Sequence, residues 1–464
     1  MTGASEITVL PPKRLVPSII FIALVVAVGG SLGAPLITSV ATTLHVSLAS
    51  AQWTLTISLL SGAVSTPVLG RLGAGPHRRA AIPGTLAVAA AGSVLTVLPL
   101  PFAWLLVGRA AQGVGLGLTS LMMGVARDHL PKAQSASTIS FASVASTIGI
   151  GVGYPLSGLL AELGGLRAAY GLGVAVTVIA LVVAYLGIPR SPAGRSTHID
   201  VVGAVLLAVA LLVVLFVASD TTLWTQHLGV AVALAVIGVV VLGVWTAVER
   251  HKSSPLVDVT LLRHPSAAGA NIAMFIGGIG MYLLLALITR YSQTPSSTGY
   301  GFGLTTFVAG LVLVPFSVLG FVAGKLAPPA RDRIGAPLVL AGSSMIVLGA
   351  FALFATARTS IVELFLAMGI LGFGVGSFSS AMPGVILAVT PKTETSSAMS
   401  VNQVVRSVGF SLGSAIGGLI LAAGTVAEFP TDDSYTIASW IGAAIMAVTA
   451  ATCVVLHRKA THPS

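Results

Sequence analysis

Long apolar runs separated by short polar breaks fill the chain from end to end. A helix rising 1.5 Å per residue needs about 17 to 25 mostly apolar residues to cross a hydrocarbon layer about 30 Å thick. Fourteen runs of that kind can be marked. The first eight are 17 to 44, 51 to 70, 80 to 99, 101 to 126, 135 to 161, 167 to 188, 200 to 219 and 226 to 248. The other six are 266 to 289, 302 to 324, 336 to 355, 361 to 388, 397 to 424 and 436 to 456. The pattern predicts an all-α integral membrane protein with fourteen transmembrane helices. Residues 1 to 16 are polar, and the run that follows is too long for the apolar part of a cleavable signal, so it is expected to be the first span.

The polar breaks orient the chain. With the N-terminus in the cytoplasm, eighteen of the 23 Lys and Arg fall on the cytoplasmic side and only Arg167, Arg290 and Arg358 on the other, while Arg109 and Arg406 lie within runs. Cytoplasmic loops of plasma-membrane proteins carry such an excess. Both tails, 1 to 16 and 458 to 464, are therefore expected inside the cell.

The runs also repeat. Gly149, Gly153 and Gly158 recur as Gly409, Gly413 and Gly418, and Gly113, Gly115 and Gly117 recur as Gly372, Gly374 and Gly376. The offset places two six-helix bundles at 17 to 190 and 251 to 457. Two inserted helices, within 191 to 250, are expected outside the core on the lipid face. Duplicated halves with a binding site between them near the midplane are the usual build of a secondary transporter.

Composition narrows the reading. Hydrophobic residues make up 55% and charged residues 8%, against about 25% charged in a soluble protein. The net charge of +10 is scattered in short clusters rather than gathered on one surface, so nucleic acid is not an expected partner. Cys453 is the only cysteine, which rules out an intrachain disulfide and a cysteine metal site. No metal, cofactor or catalytic constellation is expected, and no phosphate-binding Gly-x-x-x-x-Gly-Lys-Ser/Thr loop occurs, which argues against an ATP-driven pump.

Arg109-Ala-Ala-Gln112-Gly113-Val-Gly115-Leu-Gly117 and Gly149-Ile-Gly-Val-Gly153-Tyr154-Pro155-Leu-Ser-Gly158 resemble motifs on the fourth and fifth helices of the major facilitator superfamily. Gln52-Trp53, Glu249 and Pro255-Leu256-Val257-Asp258 are similar to features of its fourteen-span drug:proton antiporter family. The resemblance implies the major facilitator fold, small-molecule substrates, multidrug efflux and protons as coupling partner. Two departures touch the coupling. Ala74 to His77 replace the acidic stretch usual after helix 2, and Ala27 to Pro35 on helix 1 hold no acid.

An arginine within a membrane-length run is costly and needs a reason. Arg109 can hold backbone carbonyls of helix 1 or a substrate anion, or anchor helices by fixed hydrogen bonds. Arg406, one turn after Asn402 and Gln403, either faces the cavity or snorkels toward the cytoplasmic interface. Ser31, Gln112, Asn271, Asn402 and Gln403 complete the substrate and gating candidates. At the cytoplasmic ends, Gly70, Arg71, Arg78, Arg79 and Asp128 are candidate gate residues. The glycines spaced by four, Gly149 and Gly153 with Gly158, and Gly409, Gly413 and Gly417, let backbones approach closely so that helices can rock, and Pro155 permits a bend. Glu363 and the histidines lie at span ends. With no acid in the expected cavity, neutral or anionic amphiphiles fit better than cations. An exporter of lipophilic small molecules is the leading reading. A facilitative metabolite carrier and a transport-inactive scaffold or sensor are the rivals.

Overall fold

The computed structural model describes residues 14–33, 35–73, 78–189, 200–219, 221–252, 264–426 and 429–461. The substituted loop at Ala74 to His77, the stretch Pro255 to Asp258, most of the N-terminal tail and the Arg79 side chain lie outside the described residues.

The first apolar run is not one helix. It divides into α1 (Leu15–Ser31) and α2 (Ile37–Thr43). Pro35 has no N–H to give the Ser31 carbonyl, and a helix cannot pass such a point undisturbed. The chain then runs through α3 (Leu48–Gly73) and α4 (Arg78–Val97). The fourth run is α5 (Phe102–Val114) and α6 (Leu118–His129), joined by a tighter 3-10 turn over Gly115–Gly117.

Two predicted runs are fused in α7 (Lys132–Gly187), 56 residues interrupted at Gly165. At 1.5 Å per residue it would be about 84 Å long, far beyond one bilayer. The backbone breaks at Gly165, with φ 70° and ψ −171°, which glycine alone adopts without strain. The two parts run in opposite directions along α1. Gly149 and Gly153 meet Ala27 and Ser31 in rising order, whereas Gly173 and Gly187 meet Leu32 and Ser18 in falling order.

The inserted segment forms α8 (Val201–Ser219), α9 (Thr221–Gln226) and α10 (Leu228–Arg250). The second half comprises α11 (Pro265–Gln293), α12 (Thr306–Leu311), α13 (Val314–Ile334), α14 (Ala336–Thr356), α15 (Ile361–Ala388), α16 (Thr395–Ala423) and α17 (Asp432–Thr461). Two strands of two residues each, Thr425–Val426 and Phe429–Pro430, pair antiparallel ahead of α17. Among the described residues, eleven helical stretches are long and apolar enough to cross a membrane, and Leu15–Ser31 and Val201–Val217 are shorter apolar helices.

The sequence repeat reappears as repeated packing. A side chain at Gly113 would overlap the Ser58 carbonyl of α3, and one at Gly372 would overlap the Phe316 carbonyl of α13. Each half thus presses its fourth helix onto its second through glycines at matching positions. The halves meet where α3 and α6 touch α16 and where α7 touches α12, α13 and α15. The inserted α8 contacts both α3 and α16, so it lies along that seam. There Leu207, Leu211 and Leu215, with Trp245 of α10, bury against Leu60 and Ala63, flanked by Val401, Val404 and Val408. The opposite side of α10 exposes Val236, Val239, Val240 and Val244, a stripe suited to lipid rather than water.

Candidate functional site

The main cavity, ≈ 210 Å³, lies between the halves. Val26, Ala27, Gly30 and Ser31 of α1, Gln52, Leu55, Thr56 and Leu59 of α3, and Ile150 and Tyr154 of α7 line it from one half. Tyr282, Leu285 and Arg290 of α11 and Gln403, Arg406, Ser407, Phe410, Ser411 and Ser414 of α16 line it from the other. On α16 the positions 403, 407, 410 and 414 recur at helical spacing, which aligns them on one face. Phe410 stacks on Tyr282 with ring centres 5.2 Å apart, and the Arg406 guanidinium lies 5.6 Å from the Phe410 ring centre. Arg406 is eleven residues into α16, about 17 Å along the axis, and lines the cavity. The cavity therefore holds Ser31, Gln403 and Arg406 of the sequence-predicted residues. Arg109, Gln112, Asn271 and Asn402 are not on its wall.

Arg109 is fully buried. Its Nε donates to the Thr54 carbonyl at 3.0 Å, and Nη1 donates to Gln112 Oε1 at 2.6 Å and to the Gly29 carbonyl at 3.4 Å. Gln112 Nε2 donates in turn to Ser93 Oγ at 3.0 Å. The Gly29 carbonyl belongs to the last turn of α1, at the helix's negative end. A cation at a helix C-terminus is favourable for that reason. The guanidinium thus ties α1, α3 and α5 together instead of facing the cavity. Asn402 Nδ2 donates to Asn271 Oδ1 at 3.1 Å, an amide pair joining α16 to α11.

Arginines close one end of the seam. Arg71 of α3 lies 3.6 Å from Glu394, just before α16. Arg127 of α6 donates to the Leu387 carbonyl at 3.0 Å, the Thr390 carbonyl at 2.9 Å and Thr395 Oγ1 at 2.9 Å, all in the other half. Gly70 abuts α16, where an added Cβ would sit 2.9 Å from Ser400 Cβ. Arg78 pairs with Asp128 at 2.6 Å, a tie between α4 and α6 within one half. The cavity lining reaches from Thr66, one turn from Gly70, to Gln52 and Arg290 near the opposite helix ends, where exposed Arg290 marks its mouth.

Gly149, Gly153 and Gly409 pack against helices of their own half. Side chains at Gly149 and Gly153 would overlap α1, and one at Gly409 would come within 2.7 Å of the Phe275 carbonyl of α11. Other glycines make contacts across the seam, among them Gly151 and Gly158, which face Ser317 and Phe307, and Gly310, which faces Pro155.

Sequence reasoning did not find the partners of several charges. Arg358 makes a two-pronged bond to Asp432, 2.9 and 2.7 Å. Burial pulls its pKa down, but the Asp432 carboxylate more than offsets this and the net direction is up. The only hint was that both residues sit at the sparsely charged end. Asp200 accepts the Gly203 N–H at 2.9 Å as an N-cap for α8 and pairs with Lys252. Burial pushes its carboxyl up, yet those partners outweigh it and leave it below the usual carboxylate range. Glu363 is held in a capping box with Ser360 at the start of α15. Among the described residues, no group of His, Cys, Asp or Glu could hold a metal.

Comparison with known proteins gives the arrangement a family. The chain is 27% identical over 347 residues to the multidrug resistance protein Stp of Mycobacterium tuberculosis, covering 72% of this chain and 61% of that one. It therefore spans under two thirds of that relative's length. It is 26% identical over 360 residues to the drug efflux pump JefA of the same species, covering 76% and 69%. The uncharacterized MFS-type transporter YvkA of Bacillus subtilis is 22% identical over 88% of this chain and 90% of its own. The fold matches that of the human organic anion transporter MFSD10 with TM-score 0.64 at 15% identity, covering 96% of this chain and 99% of that one. The sequence pattern of the Major Facilitator Superfamily matches residues 19–324 and 270–464, and the chain belongs to that family of membrane transporters.

Proposed function

We propose that this protein is a secondary carrier that moves lipophilic small molecules out of the cell by alternating access. The single observation behind this is the cavity lined by both halves and closed at the Arg71, Arg127 and Glu394 end. In this reading the segments 17 to 190 and 251 to 457 are the rocking bodies, and the closed, basic end is cytoplasmic by the positive-inside rule. Counting the two antiparallel parts of α7 separately and including both shorter apolar helices gives fourteen spans, with both termini cytoplasmic in the cell membrane. The efflux direction is supported by relatives described as a multidrug resistance protein and a drug efflux pump.

Arg109, Gln112, Asn271 and Asn402 act in this scheme as positioning residues that fix α1, α3, α5 and α11. Ser31, Gln403 and Arg406 contact substrate. Gly70, Arg71, Arg78, Arg79 and Asp128 form the cytoplasmic gate, with Arg127 as its strongest member. Facilitated movement of a metabolite is the second reading, favoured by the lack of any Asp, Glu or His among the described lining residues. Purified protein in vesicles separates the two. An imposed pH gradient that drives substrate uphill supports proton-coupled export, and uptake that follows only the substrate's own gradient supports the facilitative carrier. No transport above empty vesicles for any probe would count against both.

A further inference from the structure

The wall of the cavity has a sign. Its charged lining residues are Arg290 at the mouth and Arg406 in the depth, and no Asp, Glu or His stands among the described residues around it. Beside Arg406 the cavity wall carries the side-chain amide of Gln403, able to donate, and the Ser407 hydroxyl, which donates to the Gln403 carbonyl at 3.0 Å. Within reach along that wall are Phe410 and, stacked on it, Tyr282. The site therefore pairs a deep guanidinium with an aromatic wall. A guanidinium presents a planar fork of donors that matches a carboxylate or sulfonate.

We propose that this cavity selects amphipathic organic anions, with the anionic group on Arg406 and the Gln403 amide and the apolar body against Tyr282 and Phe410. The inference rests on the transport reading and narrows its substrate class. A cation of the same shape would bring like charge close to Arg406. At an effective dielectric of about 20 and about 5 Å, that repulsion is worth on the order of a hundredfold in affinity. Arg290 adds attraction at the mouth, where it raises the rate at which anions arrive.

Three fluorescent probes of matched shape test the idea: dansylglycine, its neutral amide, and dansylaminoethyl-trimethylammonium. Binding to the purified full chain is read from the dansyl emission, and transport is read in vesicles. The expected order in the unaltered protein is carboxylate tightest, by about tenfold over the amide, the scale of one charge-assisted hydrogen bond, with the quaternary ammonium weakest. Arg406→Gln is expected to remove the carboxylate's advantage while leaving the amide's affinity within threefold, and Arg406→Lys to keep the order with a smaller gap. The guanidinium stays charged, so the preference is expected to hold from pH 6 to 9. The comparison in the unaltered protein stands even if Arg406→Gln does not fold. Equal binding of all three probes, or preference for the ammonium, overturns the anion assignment. If the amide or the ammonium is then still transported, the carrier reading survives that result. If no probe binds and none moves, both readings fall.

Discussion

Replacing Arg127 by Met removes the strongest tie between the halves at the basic end. Three of its hydrogen bonds across the seam are 3.0 Å or shorter, to the carbonyls of Leu387 and Thr390 and the hydroxyl of Thr395. A hydrogen bond to a charged group contributes about 1.5 to 3 kcal/mol when buried. This side chain is only partly buried, so about 1 kcal/mol each is the appropriate scale. The total, about 3 kcal/mol, is roughly a hundredfold change in the balance between closed and open basic ends. A state populated at about 1% would rise to about half. Methionine keeps much of the length, so the loss is one of bonds more than of packing. The assay places one cysteine in the cavity wall, Ser407→Cys, in a Cys453→Ser background. An impermeant maleimide is then applied from each side of oriented membranes. The Arg127→Met protein should label tens of times faster from the basic side and about twofold slower from the other. A ratio unchanged within threefold would refute the claim that this arginine holds the closed end.

Other residues carry separate expectations. Arg109→Met should lower the thermal unfolding midpoint by the equivalent of about 2 to 4 kcal/mol, because it strands the Thr54 carbonyl and Gln112 in a dry site. Probe binding in the cavity should change less than threefold, and the opposite split would place Arg109 in the substrate site. Gly413→Val should abolish folded protein, since an added Cβ overlaps the Ile279 carbonyl, whereas Gly29→Ala, with nothing within 4 Å, should be tolerated. Asp200→Asn should cost stability at pH 7. The carboxyl lies below its usual range in the fold, so its contribution is present above the unfolded pKa of about 3.9 and fades as pH falls through and below it. The gap in melting temperature between variant and parent should therefore close at acid pH, and a gap that persists there contradicts the assignment.

The spans were legible because crossing a bilayer demands apolar length that little else in a sequence imitates. The glycine offsets were legible for a related reason: Gly113 and Gly372 meet equivalent carbonyls, so the same constraint was written twice. The division of the first run could be read from Pro35, yet length alone made it look like one helix. Arg109 stood out as a costly charge, but its acceptors are the backbone carbonyls of Thr54 and Gly29, and a carbonyl has no residue type to search for. The same blindness hid Arg127, whose acceptors are also mostly carbonyls. Arg406 was found by type, but sequence left open whether it faces the cavity or the interface, because the surroundings of a span that begins at 397 are not written in its residues. The structure puts it at mid-helix on the cavity face. The seam position of α8 had no signal of its own, since leucines that face lipid and leucines that face Leu60 and Val404 read alike.

Alternating access requires the basic end to open. Gly70 and Ser400 provide the handle, because an added Cβ at Gly70 would lie 2.9 Å from that of Ser400, near disulfide reach. The measurement is transport of a dansyl probe by Gly70→Cys with Ser400→Cys, in a Cys453→Ser background, before oxidation, after it, and after reduction. Cross-linking should stop transport to the level of empty vesicles, and reduction should restore it. Transport that continues unchanged through a complete cross-link would contradict the account.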